Sequence, residues 1–229
     1  MNYWERLQHP PLAEDDLFRH SLYRNLGRTP DWQFPDVLRG GGLRCVRLSI
    51  ENYDDLWPLL AEDPSPHIDE RFRVRPSMFE YTLFNRGTMP YSGKHGGADW
   101  LIIDSPEADE AYTAYDSPFM QGPLRLAEGE RLLGILHLYE LSRERYDGRQ
   151  PNPFVGLQLA SAAHGTGRAA VAIGLLERYV NETYETVRGV TANIDRDNKR
   201  SQHFFAKLGY EQSDTYYGDK EEFWVKQFG

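Results

Sequence analysis

The stretch "FVGLQLASAAHGTGRAAVAIGLLERYV", residues 154 to 180, constrains the fold more than any other part of the chain. Its opening, "FVGLQLA", is a short apolar run of the kind found in a central strand buried on both faces. Its end places Ala169, Ile173, Leu176 and Val180 at i, i+4, i+7 and i+11, one face of an amphipathic helix. Between the two stand Gly165 and Gly167. Glycine costs helix stability and packs nothing, so a pair at a helix start needs a reason. A tight turn is one. The other is chemical: backbone N–H groups at a helix N-terminus bind anions, and glycines let a phosphate come close.

Other segments supply partners for that strand and helix. "RLLGILHLYEL", at 131 to 141, and "FVGLQLA" are the two most apolar segments, and turn residues in "RYDGRQPNP" join them, which predicts an antiparallel pair. "LRCVRLSI" from Leu43, "ADWLIID" at 98 to 104 and "VRGVTANI" read as further strands. "SIENYDDLWPLL" offers a helix start at Ser49, and a second helical stretch is expected from about His67 to Asn85, interrupted by Pro76. "NKRSQHFFAKLGY" predicts a short helix ended by Gly209, and "SDTYYGDKEEFWVKQF" a hairpin turning near Gly218 and Asp219. Residues 1–42, with "HPP", "RTPDWQFPD" and the junction-like "RGGG", are expected to form an arm packed on a main domain of residues 43–229, anchored by Trp4, Trp32 and Phe34.

Composition excludes several classes. The single cysteine, Cys45, cannot form an intrachain disulfide and fits a buried, inert thiol in a reducing compartment. The seven histidines are scattered with no cysteine pair to join them, so no metal site is expected. "MNYWERLQHPPLAEDD" has charges and prolines where a signal peptide needs an apolar run, and no segment approaches ~18 uninterrupted apolar residues, so a cytoplasmic protein is expected. A net charge of −9 disfavours nucleic acid and anionic membrane as partners and suits a cationic substrate. The window 164 to 210 runs the other way, with seven Lys or Arg against five Asp or Glu. "DSPEADEAYTAYD", at 104 to 116, has five acidic residues and no basic one; it is either a solvated loop or an acidic rim that attracts an amine.

Two common phosphate loops do not fit. A P-loop needs lysine and then serine or threonine after its last glycine, where this chain has Arg168 and Ala169. "GTGRAA" matches the loose dinucleotide pattern, but only about 60 residues follow it, and Glu185 precedes the next strand instead of ending it. The segment "LQLASAAHGTGRAAVAIGLLERYV" instead resembles the coenzyme-binding motif of the GNAT superfamily of acyl-CoA-dependent N-acyltransferases: a strand, Arg/Gln-x-x-Gly-x-Gly/Ala, then a helix. Ala162 stands where that family has Arg or Gln. A second motif, "ANIDRDNKRSQHFFAKLGYEQ", is similar to the family's pattern through Ala192, Ile194, Asn198, Ser201, Phe205, Lys207, Gly209 and Tyr210. The likeness covers residues 43 to 228. "LRCVRLSIENYDDLWPLL" looks like the opening of the branch that acetylates ribosomal-protein N-termini.

The resemblance implies an α/β (α+β) fold with a central, mixed, mostly antiparallel sheet flanked by helices and splayed between the family's fourth and fifth strands, here about 154 to 160 and 188 to 194. It implies acetyl-CoA as cosubstrate and no metal, the diphosphate resting on the N–H groups of His164, Gly165, Thr166, Gly167, Arg168 and Ala169. Arg168 would add a charged contact. The pantetheine arm would pair with the Leu159 and Ala160 region and be held on its other side by Asn198 and Ser201. The acceptor would be a primary amine: a protein N-terminus, a polyamine-like compound or an aminoglycoside-like antibiotic. A homodimer is compatible with the likeness. The candidate base is Glu140, with His137 and His203 behind it; Gln158 cannot titrate. Phe205 stands where relatives often have a tyrosine acid. The alternative function is a GNAT-shaped acyl-CoA-binding or regulatory module without turnover.

Overall fold

The structure is a computed structural model, which describes residues 34–35, 37–48, 56, 58–68, 97–106, 124–139, 152–185, 187–217 and 220–229. Eight strands form one sheet: β1 (Val37–Gly40), β2 (Leu43–Arg47), β3 (Gly97–Asp104), β4 (Arg131–Tyr139), β5 (Phe154–Leu159), β6 (Gly189–Asp195), β7 (Glu211–Tyr217) and β8 (Glu221–Gln227). Their order is β1-β2-β3-β4-β5-β6-β8-β7. Two helices lie between the later strands, α1 (Arg168–Thr183) and α2 (Lys199–Lys207). This is the mostly antiparallel, helix-flanked sheet expected from the sequence.

Alternation along the strands sorts side chains to two faces. One face carries Trp100, Ile102, Leu136, Leu138, Val155, Leu159, Val190, Ala192 and Ile194, all buried in one cluster with the inner side chains of α1 and with Phe205 of α2. The expected α1 stripe holds, with Ile173, Leu176 and Val180 fully buried, and Ala172, Leu175 and Tyr179 widen it. Trp100 anchors the centre: its ring meets Phe34 and Tyr179 edge-on, and its indole N–H donates to the Pro35 carbonyl at 2.8 Å. The other face holds a smaller cluster of Leu101 and Ile135 with Leu56, Leu60 and Ile68. Among the residues of the expected first helix, only Leu56 and 58–61 are described, and these are helical. Of the second expected helix only His67 and Ile68 are described, and they form a turn; the stretch 69–96 lies outside the described residues, as do the acidic run from Glu107 onward and Trp4 and Trp32.

"RGGG" is not a break between two units. Gly41 and Gly42, at φ +58° and +74°, form the turn of a β1–β2 hairpin in which Gly40 faces Leu43. Two consecutive left-handed residues are what a tight hairpin needs, and glycine takes them without strain. The described end of the expected arm is therefore the sheet's edge strand.

The β5–β6 junction governs the rest. These strands are parallel and share a single partnered pair, Phe154 with Thr191, where the Thr191 N–H donates to the Pro153 carbonyl at 2.9 Å. Beyond it they diverge, and a gap opens toward Leu159 and Asp195. β5 keeps its full antiparallel register with β4, and β6 with β8, so the sheet is split at this one seam.

Candidate functional site

Two strand ends and two helix starts surround the gap. On the β5 side, the chain leaves Leu159, makes a short 3-10 turn over Ser161–Ala163, and enters α1 through Gly165 and Gly167. Gly165 has φ +76° and Gly167, the residue preceding α1, has φ +82°. A Cβ at either would meet nothing within 4 Å. Left-handed backbone accounts for the glycines, and the space above them is open. Gly167 offers α1 no side-chain cap, Thr166 Oγ1 meets only the Arg168 N–H, at 3.5 Å, and no acidic residue sits in the first turn. Such an uncapped N-terminus leaves backbone donors for an anion. The expected His164 N–H is not among them, since it donates to the Ser161 carbonyl at 3.1 Å; the cradle that fits a diphosphate runs from Gly165 to Ala169.

Register fixes which β5 groups face the gap. The Ala160 N–H donates to the Leu133 carbonyl at 2.9 Å, which makes Leu159 and Gly134 a non-hydrogen-bonded pair. By alternation, the N–H and C=O groups of Leu157 and Leu159 point away from β4 and into the gap. The Ala160 N–H is committed to β4, whereas the Leu159 carbonyl is reached from outside β4 by His164 Nε2 at 3.1 Å.

The loop is braced by residues that sequence reasoning did not single out. Asp63, 7% exposed, accepts from the Ser161 N–H at 2.6 Å and the Ser161 hydroxyl at 2.7 Å, and from the Ser65 N–H at 2.9 Å. Burial raises its carboxyl, but these hydrogen bonds outweigh burial and hold it below the usual carboxylate range. Thr166 Oγ1 donates to the Ala163 carbonyl at 2.8 Å and closes the turn. Burial, and after it the Arg200 charge, hold the His164 imidazole below its ordinary value. The arrangement also assigns its tautomer. Arg200 approaches Nδ1 at 2.7 Å as a donor, so Nδ1 accepts and Nε2–H donates to Leu159.

On the β6 side, the Asn198 side chain accepts from the Ser201 N–H at 3.1 Å and caps α2. Phe205 is buried, edge-on to Phe204 and Tyr210. The Tyr210 hydroxyl donates to Glu177 at 2.8 Å. Burial and the Glu177 carboxylate push that hydroxyl well above the usual phenol range, so Tyr210 does not substitute for the missing tyrosine acid.

Arg168 lies away from the cradle. Its guanidinium donates to the Gly41 carbonyl at 2.8 Å and sits 2.7 Å from Asp104. Of the histidines considered, His203 is exposed on α2, and His137 is buried on β4 with Nδ1 2.7 Å from Asp99. Gln158 and His137 occupy the sheet face opposite α1, and Glu140 lies outside the described residues. Cys45 is fully buried, and burial pushes its thiol up to about 12, which leaves it inert. No cluster able to hold a metal ion occurs among the described residues, and none of their helices is long and apolar enough to cross a membrane.

No protein-family model matches the sequence, and no curated protein matches it. Solved structures do match. One is a chimera of the spermidine N-acetyltransferase SpeG from Vibrio cholerae and hSSAT, at 12% identity and TM-score 0.55, covering 82% of this chain and 96% of that one. A probable GNAT-family acetyltransferase from Chromobacterium violaceum matches at 14% identity and TM-score 0.53, covering 86% and 90%. RimL, a ribosomal L7/L12 α-N-protein acetyltransferase in complex with coenzyme A, matches at 11% identity and TM-score 0.52, covering 83% and 97%. At such identities the likeness speaks for architecture, and the architecture is the GNAT acetyltransferase fold.

Proposed function

We propose that the protein is an acetyl-CoA-dependent N-acetyltransferase that acts on a primary amine by direct attack in a ternary complex. The carrying observation is the seam at Phe154 and Thr191: a sheet opened between two parallel strands, with an uncapped, glycine-turned helix start at its mouth. The N–H groups from Gly165 to Ala169 would hold the diphosphate, the His164 N–H being taken by the Ser161 carbonyl at 3.1 Å. The Leu157 N–H and C=O would pair with the pantetheine amides from one side, with Asn198 and Ser201 on the other. Phe205 would line the gap by packing. When bound, the coenzyme supplies the acetyl thioester. The Leu159 N–H is the donor placed to stabilise negative charge on its carbonyl oxygen. Glu140, one residue beyond β4, is the proposed acceptor of the amine proton. The amine acceptor is a small molecule or a protein N-terminus, and the protein works in the cytoplasm.

Thermal unfolding with ligands tests this directly. Acetyl-CoA at 100 times its Kd should stabilise the fold by about 2.7 kcal/mol, raising Tm by roughly 5–10 °C, and NADH or ATP should not. Gly167→Val should abolish the shift at a cost of only about 1–2 kcal/mol to the unliganded protein, since its Cβ meets nothing and the strain is confined to φ. Stabilisation by NADH but not by acetyl-CoA would overturn the assignment. A panel of amines with acetyl-CoA, read by thiol release, then identifies the acceptor.

A further inference from the structure

Two arginines border the cradle, and the structure separates their roles. Arg168 belongs to the loop in sequence, but its guanidinium is spent on Asp104 and the Gly41 carbonyl. Arg200 is 36 residues from His164 along the chain, yet it reaches across the mouth of the gap from α2 to His164 Nδ1 at 2.7 Å. That contact joins the two lips of the open seam. Among the described residues, no carboxylate lies within ion-pair distance of Arg200.

The position of Arg200 is costly to α2. Lys199 and Arg200 occupy its first turn with no acidic residue, at the end where the helix dipole repels cations. Lys199 Nζ turns back to Gln202 on its own helix at 3.1 Å. Arg200 instead donates to a neutral imidazole, a weaker acceptor than an anionic oxygen. An anion at the cradle would offset both the dipole cost and the poor partner.

Building on the coenzyme reading above, we propose that Arg200 is the cation that binds the coenzyme's diphosphate, and that His164 Nδ1 holds its guanidinium at the mouth of the gap until the diphosphate replaces it. Arg200 thereby takes the charged role that the sequence motif suggested for Arg168. The exchange also couples the two lips: the same side chain bridges β5's loop to α2 directly before binding and through the ligand after it.

Calorimetric titration of the full chain tests this with three probes: acetyl-CoA, 3′-dephospho-coenzyme A and S-acetylpantetheine, which lacks the diphosphate. Arg200→Gln should bind the first two about 10- to 100-fold more weakly, with a shallower dependence on salt. S-acetylpantetheine should bind wild type and variant alike, and the unliganded Tm should not fall. Arg200→Lys should restore part of the loss. Equal loss for all three probes would show a structural role and overturn the proposal, as would wild-type affinity for acetyl-CoA in Arg200→Gln. Loss confined to acetyl-CoA would move Arg200 to the 3′-phosphate and overturn the diphosphate assignment. Failure of the wild-type protein itself to bind acetyl-CoA would instead overturn the coenzyme reading.

Discussion

Gly134 and Gly167 are both glycines for reasons of backbone, but the reasons differ. Above Gly167 there is open space, so only its left-handed φ resists a side chain. At Gly134 the obstacle is contact: an added Cβ would collide with the Gln158 carbonyl oxygen, which is backbone and cannot swing aside. Gly134→Ala must push β4 and β5 apart, at a cost of about 3 kcal/mol or more, measured by urea unfolding. A loss under ~1 kcal/mol would show that the two strands can separate freely there. The motif glycines were legible in the sequence because a strand–Gly-x-Gly–helix pattern is local. Asp63 and Arg200 were not. Asp63 is 98 residues from Ser161, and Arg200 meets His164 only because the sheet brings β5 beside β6. Arg168 shows the converse: adjacency in the motif suggested a ligand contact, but the β1–β2 turn and Asp104 claim its guanidinium.

At the level of elements, apolar patterning together with turn and cap residues marked the strands from β2 to β8 and the helices α1 and α2. It missed β1. Four residues, the last of them the first of three consecutive glycines, carry too little pattern to read as a strand, and the partner that makes them one is β2. The bulge in β4 was equally hidden: register shifts between Ile102 and Ile103, leaving Leu133 as the extra residue beside the end of β5. Such bulges re-aim a strand next to functional sites, and this one supplies the carbonyl that fixes Ala160. At the outer end of β4, Glu130 accepts from Arg44 Nε at 2.6 Å, the Ser105 hydroxyl at 2.7 Å and the Ala127 N–H at 2.8 Å, tying together β2, β3 and β4. The Arg44 hydrogen bond leads these causes in lowering its carboxyl from 4.5 to about 2. A depressed carboxylate contributes stability that is fully present above its unfolded value and is lost as pH falls through its folded one. Stability should therefore fall progressively from about pH 4.5 to about pH 2. Glu130→Gln should be less stable than wild type at pH 7, by roughly 3 kcal/mol at most, and converge with it toward pH 2. Parallel pH curves for the two proteins would remove Glu130 from acid unfolding.

For the whole molecule, the two sheet faces divide the labour. The α1 face is apolar and holds the fold, while the opposite face places Asp99, His137, Gln158, Thr191 and Asn193 along β3, β4, β5 and β6. An amine approaching the gap from that side would meet polar groups and, in a chain of net charge −9, an attractive field. The basic balance of residues 164 to 210 lies around the cradle, so on the proposed reading an anionic cosubstrate and a cationic acceptor would be drawn to different sides of one opening. The acidic run from Asp104 to Asp116 is the strongest local source of that field in the sequence, although past Pro106 it lies outside the described residues. Asp104 itself is committed to Arg131 and Arg168, which leaves Glu107, Asp109, Glu110 and Asp116 as the carboxylates able to steer an amine. Neutralising Glu107, Asp109 and Glu110 together should lower kcat/KM for a polyamine-like acceptor several-fold at 10 mM salt, where the screening length is about 30 Å. The difference should shrink at 1 M salt, where that length is about 3 Å, and acetyl-CoA affinity should not change. A triple variant with unaltered kcat/KM at both ionic strengths would leave those carboxylates as solvated surface and transfer acceptor recognition to the polar face of the sheet.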